Sequence, residues 1–123
     1  MKTIIAGSRT VKDGVLIEQA VKESGFNISK VLCGGAKGAD VLGRNYAKSK
    51  GIPVLEFPAD WAKFGNGAGI IRNVAMANNA EALIAIWDGQ SRGTRHMIDE
   101  AKKRNLKVYI KIIEKEKTLE KNI

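Results

Sequence analysis

The chain has 123 residues, which is a typical length for one domain with a single hydrophobic core. With 44% apolar and 28% charged residues, the composition is that of a soluble globular protein rather than a disordered one. No apolar run approaches the roughly 20 residues that a membrane-spanning helix needs, so we expect no membrane association. The first ten residues hold too short an apolar stretch for a signal peptide and are interpreted as a buried strand.

The single cysteine, Cys33, excludes an internal disulfide and any zinc site built from several cysteines. A lone cysteine suits a reducing compartment, so we expect a cytoplasmic protein with no bound metal or other cofactor. The net charge of +8 favours anionic partners. Because the basic residues are spread along the chain without interleaved aromatic residues, nucleic-acid binding is kept as an alternative only.

Five short and nearly continuous apolar runs predict strands, at residues 3–6, 30–33, 53–57, 82–87 and 107–113. Runs of this kind suit strands that are covered on both faces, as in a parallel sheet. The segments between them carry apolar residues at helical spacing and predict helices at residues 13–25, 39–51, 70–78 and 94–104. Asp13 is the expected N-cap of the first helix. Gly25 and Gly51 are expected to end the first and the second helix.

The strict alternation of strands and helices predicts a single α/β domain of the Rossmann-like kind. We expect one five-stranded parallel sheet of order 3-2-1-4-5, with right-handed crossovers and helices on both faces. This domain spans residues 1–113, and residues 114–123 form a charged C-terminal tail.

Three predicted strands end in glycine-rich turns that also carry a hydroxyl or a basic side chain. The first is followed by Gly7-Ser8-Arg9, the second by Gly34-Gly35-Ala36-Lys37-Gly38-Ala39-Asp40, and the fourth by Asp88-Gly89-Gln90-Ser91-Arg92-Gly93-Thr94. In an open α/β sheet, ligands bind beyond the carboxyl ends of the strands, near the point where the strand order reverses. We therefore expect the three turns to meet at one edge of the sheet.

The chemistry of these turns favours an anion. Glycines let the backbone approach a phosphate, and free N–H groups with the dipole of the following helix attract it. Arg9, Lys37 and either Arg92 or Arg95 can supply formal charge. The run GGAKGAD is not a P-loop, and no G-x-G-x-x-G follows the first strand. Residues 65–69 are interpreted as a flexible turn and a candidate lid.

Five motifs in the chain resemble the YspA-like branch of the SLOG superfamily. They are IIAGSR at residues 4–9, CGGAKGAD at 33–40, FPADW at 57–61, GAGIIRNVAM at 67–76 and IWDGQSRGTRHMI at 86–98. That superfamily groups the LOG phosphoribohydrolases with the DNA-processing protein A family and many nucleotide-sensing domains. The resemblance implies a Rossmann-like fold that binds a nucleotide or a nucleotide-derived ligand, such as an ADP-ribose- or NAD-like molecule.

The resemblance to the LOG enzymes also bears on turnover. Those enzymes cleave the N-glycosidic bond of nucleoside 5′-monophosphates with an arginine from R-K-x-x-M and a glutamate from P-G-G-x-G-T-x-x-E. Arg72 keeps the arginine of the first stretch, whereas Met97 stands at the glutamate position of the second. Because an oxocarbenium-like transition state needs a nearby carboxylate, this departure disfavours LOG-type hydrolysis unless Asp60, Asp88 or Asp40 substitutes.

Several residues in these motifs have both a functional and a structural interpretation. A base can stack on Trp61 while Asp60 binds a ribose or the base, or Trp61 packs on the core while Asp60 caps a turn. Asp88 can bind ribose hydroxyls or simply form an Asp-Gly turn. Asp40 is expected to stabilise the N-terminus of the second helix.

Four further residues receive more specific expectations. Ser8 and Thr94 are interpreted as phosphate donors or helix caps. His96 has no patterned acid or cysteine beside it and is not expected to belong to a catalytic triad. Cys33 is expected to pack as a small apolar residue at the end of a buried strand.

The residues assigned to ligand binding are Gly7, Ser8, Arg9, Gly34, Gly35, Lys37, Gly38, Asp40, Asp60, Trp61, Arg72, Asn73, Asp88, Ser91, Arg92, Gly93 and Thr94. If the protein is an enzyme, the catalytic residues are expected to be Arg72, Asp60 and Asp88.

Three functions remain open from the sequence. The favoured one is a sensor or sequestering protein for a nucleotide-type ligand. A nucleoside-monophosphate N-glycosidase and a single-stranded nucleic-acid-binding module are the alternatives. Related LOG proteins are dimers, and the apolar stripe of Ile70, Ile71, Val74 and Ala75 predicts a homo-oligomer here.

Overall fold

The computed structural model describes residues 1–35 and 37–113, so the expected tail at residues 114–123 lies outside the described residues. Strands and helices alternate as the sequence predicts. The elements are β1 (Lys2–Gly7), α1 (Val15–Ser24), β2 (Lys30–Cys33), α2 (Ala39–Ser49), β3 (Val54–Glu56), α3 (Trp61–Phe64), a 3₁₀ turn (Gly65–Gly67), α4 (Ala68–Asn78), β4 (Ala82–Trp87), α5 (Arg92–Lys103) and β5 (Lys107–Ile112).

The five strands form one parallel sheet of order β3-β2-β1-β4-β5, which confirms the predicted topology. β1 lies at the centre, with Thr3 paired to Val31 of β2 on one side and to Ala82 of β4 on the other. The chain moves outward from β1 to β2 and β3 and then crosses back to β4 and β5. The order therefore reverses between β1 and β4, and the crevice for a ligand is expected at their carboxyl ends.

Helices cover both faces of the sheet, because alternate residues along each buried strand point to opposite sides. On one face, α1 and α2 pack their buried residues on the strands, through Ile5, Ile17, Ala20, Val31, Ala39, Ala47, Ile84 and Ile86. On the other face, α4 and α5 do the same, through Ile4, Ala6, Leu32, Met76, Ala77, Leu83, Ala85, Met97, Ile98 and Ala101. Each fully buried Ile or Leu contributes about 1.5–3 kcal/mol, so both layers stabilise the sheet.

Gly43 sets how closely α2 approaches β1. A Cβ atom at this position would lie 2.6 Å from Cγ2 and 2.9 Å from Cβ of Ile5. Such contacts are too short for carbon atoms, so only glycine permits this spacing between helix and sheet.

The structure corrects several predicted boundaries. β3 is limited to Val54–Glu56, and α4 begins at Ala68 rather than at residue 70. Residues 65–69, interpreted as a flexible turn, form the 3₁₀ turn and the first two residues of α4. They follow α3, where the Asp60 side chain accepts the amide of Lys63 and begins a helical turn. Ser91, not Thr94, caps α5 by accepting the Thr94 amide.

The helix ends follow the expected chemistry only in part. Gly25 adopts the left-handed conformation that ends α1, as predicted, with φ of 70°. Gly14 occupies the N-cap of α1, while Asp13 accepts the Val15 amide from just outside the helix at 2.9 Å. Among the described residues, the helices lack the combination of length and hydropathy that crossing a lipid bilayer requires.

Candidate functional site

A cleft of about 310 Å³ opens at the carboxyl ends of the central strands, between α4 and α5. This is the edge where the strand order reverses, as expected for a ligand site. Ten of the residues that the sequence assigns to ligand binding line the cleft. They are Gly7, Arg9, Asp40, Trp61, Arg72, Asn73, Ser91, Arg92, Gly93 and Thr94.

The N-terminus of α5 forms one wall of the cleft. The Ser91 hydroxyl accepts the Thr94 amide at 3.4 Å and lies 3.1 Å from the Thr94 hydroxyl. The indole N–H of Trp87 donates to the Ser91 carbonyl at 3.1 Å and holds the turn in place. The first amides of a helix have no acceptor within the helix. Arg92 and Gly93 are the first residues of α5 and line the cleft, so their amides can bind an anion there.

Arg72 forms the opposite wall and is held at two points. Its Nη1 donates to the carbonyl oxygen of Gly34 at 2.7 Å, and its Nε donates to Oδ1 of Asn73 at 3.0 Å. Gly34 has no room for a side chain, since a Cβ atom there would lie 2.8 Å from Cζ of Arg72 and 2.9 Å from Oδ2 of Asp40. The glycine after β2 therefore lets the guanidinium and the carboxylate approach the backbone from the cleft side.

Asn73 and His96 join α4 to α5 beneath this wall. The Asn73 amide nitrogen donates to the Gly93 carbonyl at 3.3 Å and contacts Nδ1 of His96 at 3.1 Å. Nε2 of His96 lies 3.6 Å from a carboxylate oxygen of Glu100. His96 lines the cleft, although sequence reasoning left it out of the site. The expectation that no patterned acid lies beside His96 is wrong, because Glu100 follows four residues later on the same helix, a spacing that places the two side chains together.

Glu100 anchors the outer end of this network. Arg104 donates to it, and the hydrogen bond with Arg104 is the main cause that lowers the pKa of Glu100, with Lys103 adding to it. Arg104 also donates to Oδ1 of Asn78 at 2.7 Å, so the chain of contacts returns to the end of α4. The two helices that bound the cleft are thus linked at both ends by polar side chains.

The rest of the cleft is apolar. Ala6, Met76 and Met97 form its floor and are buried. Trp61 and Ile70 line the rim and are 53% and 55% exposed. A flat aromatic ring beside an apolar floor can accept the face of a planar ligand.

Asp40 supplies the one carboxylate among the described residues that line the cleft. It is buried and lies in the first turn of α2, where a negative charge complements the helix dipole. Arg9, Arg72 and Arg92 also line the cleft, so its formal charge is positive. The arrangement therefore favours an anionic group.

Asp60 and Asp88, the expected catalytic carboxylates, lie outside the lining of the cleft. Asp60 accepts the Lys63 amide at 3.1 Å as the cap of α3, and it lines a second groove of about 240 Å³ with Phe64 and Ile71. Asp88 accepts the amides of Gln90 and Ser91, each at 2.8 Å. Both carboxylates thus hold turns beside the cleft.

The remaining predicted residues also lie outside the lining. Ser8 is buried, and its hydroxyl accepts the Asp88 amide at 3.0 Å, which ties the turn after β1 to the turn after β4. A Cβ atom on Gly38 would lie 2.6 Å from Cα of Arg9, so that glycine permits two backbone segments to touch. Gly35 and Lys37 are exposed on the turn after β2.

The single cysteine has no reactive character. Cys33 is buried at the end of β2, and burial is the main cause that raises the pKa of its thiol to about 11. A thiol with this pKa is not ionised at neutral pH. Across residues 1–35 and 37–113, no group of His, Cys, Asp and Glu side chains is arranged to hold a metal ion.

Comparison with known proteins finds a sequence relative and a solved structure of similar fold. The chain is 33% identical to the Gene 61 protein of Mycobacterium phage D29 over 117 residues, which covers 87% of this chain and 93% of that protein. It superposes on the X-ray structure of DNA processing protein A (DprA) from Streptococcus pneumoniae with a TM-score of 0.72. That match has 15% identity and covers 89% of this chain but 49% of the other, so the chain spans about half its length and shares the fold.

A family model describes the first half of the chain, and it matches residues 1–64. These residues include β1 with its Gly-Ser-Arg turn, the glycine turn after β2 and the whole of α3. The model is that of the YspA, cpYpsA-related SLOG family. The chain therefore belongs to the YspA, cpYpsA-related SLOG family.

Proposed function

We propose that the protein binds a nucleotide or a nucleotide-derived ligand in the cleft between α4 and α5, as a sensor or a sequestering protein. The observation that carries this proposal is the combination of two kinds of lining in one cleft. Three arginines and the N-terminus of α5 line it together with an exposed indole and an apolar floor. A nucleotide combines the matching groups, a phosphate and a planar base.

The arginines of the cleft fit a phosphate. Arg9 and Arg92 are exposed, while Arg72 is half-buried and already fixed by Gly34 and Asn73. An arginine that is held in place loses little conformational freedom when it binds, and a guanidinium can form paired hydrogen bonds to phosphate oxygens. The amides that begin α5 add uncharged donors to the same region.

The apolar lining of the cleft fits a base. Trp61 lies close to Gly69 of α4, since a Cβ atom on Gly69 would be 3.6 Å from Cη2 of the indole. Its exposed ring stands at the rim of the cleft, above Met76 and Met97. Stacking of a base on an aromatic ring contributes about 1–3 kcal/mol and depends little on the identity of the base. The cleft therefore supports the class of ligand more strongly than one particular base.

The positions of the carboxylates favour binding without turnover. Met97 is buried in the floor, and Asp60 and Asp88 are engaged with backbone amides outside the lining. Hydrolysis of an N-glycosidic bond remains the second candidate because Arg72 and Asp40 do line one cleft. Incubation of concentrated protein with nucleoside 5′-monophosphates, followed by chromatography, separates the two: released free base supports hydrolysis, and intact nucleotide supports binding.

Two neighbouring arginines of α5 offer a matched test of the proposal. Arg92 lines the cleft, whereas Arg95 is exposed on the same helix outside the lining. Isothermal titration with AMP, ADP, ADP-ribose and NAD⁺ should detect binding of at least one of them to the unaltered protein. Arg92→Ala should weaken that binding at least fivefold, and Arg95→Ala should change it less than twofold. Absence of binding by every nucleotide, or equal losses in both variants, would overturn the proposal.

The net charge of +8 is the observation that favours nucleic acid as an alternative ligand. A single-stranded oligonucleotide in the same titration series tests it. Binding whose affinity falls steeply as salt is raised, and which exceeds the affinity for mononucleotides, would favour this alternative.

We further propose that the protein is a homo-oligomer in the cytoplasm. Ile70 and Ile71 of α4 are 55% and 45% exposed, and Phe64 beside them is 42% exposed. Exposed apolar side chains that lie together are typical of an interface. Light scattering coupled to gel filtration tests this: Ile71→Glu should convert an oligomer to a monomer, and a monomeric unaltered protein would contradict the proposal.

A further inference from the structure

The orientation of the Asn73 side chain is fixed by its partners on α4 and α5. Its Oδ1 accepts a hydrogen bond from Nε of Arg72 at 3.0 Å, and an arginine Nε can only donate. The other end of the amide is therefore the NH₂ group. That group donates to the carbonyl oxygen of Gly93 at 3.3 Å and points to Nδ1 of His96 at 3.1 Å.

The protonation state of His96 follows from this orientation. Because an amide NH₂ group only donates, Nδ1 of His96 must accept and carries no proton. The imidazole is then neutral with its proton on Nε2, on the side where the Glu100 carboxylate lies 3.6 Å away. Nδ1 is thus engaged by Asn73 of α4, and Nε2 faces Glu100 of its own helix.

We infer that Asn73 and neutral His96 are positioning residues, which hold the guanidinium of Arg72 in the cleft wall and release it when His96 is protonated. This inference rests on the proposed function for its effect on ligand binding, whereas the coupling within the protein stands on the hydrogen bonds alone. Asn73 is buried, with 6% of its surface exposed, so its contacts have little water to replace them.

Protonation of His96 leaves Asn73 without a satisfactory orientation. In the present orientation, an N–H on Nδ1 would face the NH₂ group of Asn73, which places two donors together. If the amide turned over, its oxygen would satisfy His96, but its NH₂ group would then face Nε of Arg72, which is again a pair of donors. A buried donor without an acceptor is unfavourable, so the network must open on one side.

The charged groups around His96 come from several elements. On α5, Glu100 favours the imidazolium, and Lys103 and Arg104 pair with that carboxylate. On α4, Arg72 lies one hydrogen bond beyond Asn73. Arg9, Asp40 and Arg92 share the cleft lining with His96. Charges of both signs therefore surround His96 within and beside the cleft.

The ligand-free protein gives the first test, because His96 is the single histidine in the chain and its NMR signals need no assignment. Nitrogen-15 spectra at pH 7.5 should show Nδ1 without a proton and Nε2 with one. In Asn73→Asp, a carboxylate that accepts from Nδ1 should raise the pH at which His96 takes up its proton by about one unit. Asn79→Asp adds the same charge at the exposed end of α4 and should leave that pH within a few tenths of a unit. A proton on Nδ1 at pH 7.5, or equal shifts in both variants, would overturn the inference.

The second test connects the network to the cleft, with ADP-ribose as the probe, since its phosphodiester groups stay ionised over the pH range of the test. His96→Asn keeps an acceptor for Asn73 but cannot titrate. From pH 7.5 to 5.5, the affinity of the unaltered protein should fall at least fivefold, and that of His96→Asn less than twofold. A parallel fall in both proteins, or tighter binding by the unaltered protein at pH 5.5, would contradict the release of Arg72. If ADP-ribose binds neither protein at either pH, it is excluded as a ligand of the proposed function. The nitrogen-15 spectra then still test the hydrogen bonds between Asn73 and His96.

Discussion

The two helical layers on the sheet differ in what they bury between helix and strand. The layer of α1 and α2 packs apolar and small residues against the strands, with Ile17 and Ala20 of α1 and Ala39 and Ala47 of α2 fully buried, and Asp40 at the start of α2 is its buried charged residue. The layer of α4 and α5 also buries Met76 and Met97, but it includes the polar residues Asn73 and Thr94 and borders the cleft. We call the α1 and α2 layer, which among the described residues reaches the cleft only through Asp40, the closed layer, and the α4 and α5 layer, whose polar side chains form the walls of the cleft, the open layer.

The largest effect is expected from a substitution that disrupts the packing of the closed layer. Ile17→Ala removes a fully buried side chain and leaves a cavity, so it should lower the free energy of unfolding by about 2–5 kcal/mol in urea titrations. Ligand affinity should stay within twofold where the variant remains folded, because Ile17 lies in the layer away from α4 and α5. A folded Ile17→Ala variant with a tenfold loss of affinity would show that the two layers are not separable.

The next largest effect is expected from a substitution in the open layer. Arg72→Ala removes charge and two hydrogen bonds from the cleft wall, so affinity for the ligand should fall about ten- to hundredfold, or about 1.4–3 kcal/mol. Its free energy of unfolding should fall by only about 1 kcal/mol, as expected for lost hydrogen bonds. Isothermal titration and urea unfolding measure the two quantities on the same samples.

Arg72→Lys is the informative companion to this variant. It keeps the positive charge but has no Nε–H group to donate to Asn73. We expect an affinity between those of Arg72→Ala and the unaltered protein. Full affinity in Arg72→Lys would mean that charge alone matters and that the fixed geometry of the guanidinium does not.

The closed layer and the sheet were the parts of the fold that could be predicted from the sequence. Continuous apolar runs such as residues 82–87 have one structural interpretation once helices alternate with them. The position of Arg72 near the turns was also expected from its motif. Those inferences use residues that lie close together in the sequence or follow the general geometry of parallel sheets.

The open layer was harder to predict because its contacts join distant residues. His96 faces Asn73 across 23 positions of sequence, and Arg72 reaches Gly34 across 38. Asp60 and Asp88 illustrate a second difficulty, since a carboxylate beside a strand end can bind a ligand or cap a turn. Here the distances to Lys63, Gln90 and Ser91 show them capping turns. Local sequence pattern does not determine which of these partners a side chain meets.

A smaller effect is expected from substitutions of two aromatic residues of α3. Trp61 and Phe64 are both exposed aromatic residues of this helix, but Trp61 lines the cleft and Phe64 lines the second groove. Trp61→Ala should weaken nucleotide binding about fivefold, or about 1 kcal/mol, and leave the affinity for ribose 5-phosphate unchanged. Phe64→Ala should leave both affinities unchanged in the same titrations. Equal losses in the two variants would place the base elsewhere.

The smallest expected effects concern acid stability, and they compare one carboxylate from each layer. Hydrogen bonds from Tyr109 and Lys111 hold the pKa of Glu23 on α1 below its usual value, and Arg104 does the same for Glu100 on α5. Since each pKa is lower in the folded chain than in the unfolded chain, each interaction stabilises the folded chain at pH values above the ordinary pKa of a carboxyl group. That contribution is lost as the pH falls through the lowered pKa. Glu23→Gln and Glu100→Gln should therefore each flatten the decrease in stability towards pH 3 in urea titrations, by a small amount that salt reduces further.

The two glutamines should nevertheless differ in one respect. Glu100 lies 3.6 Å from Nε2 of His96, whereas Glu23 contacts only Tyr109 and Lys111 among the described residues. Loss of the Glu100 charge removes a group that favours the imidazolium, so Glu100→Gln should lower the pH at which His96 takes up its proton, and Glu23→Gln should not. Nitrogen-15 spectra of the single histidine measure this directly. If both variants leave the His96 titration unchanged, Glu100 stabilises only the helix pair and takes no part in setting the protonation of His96.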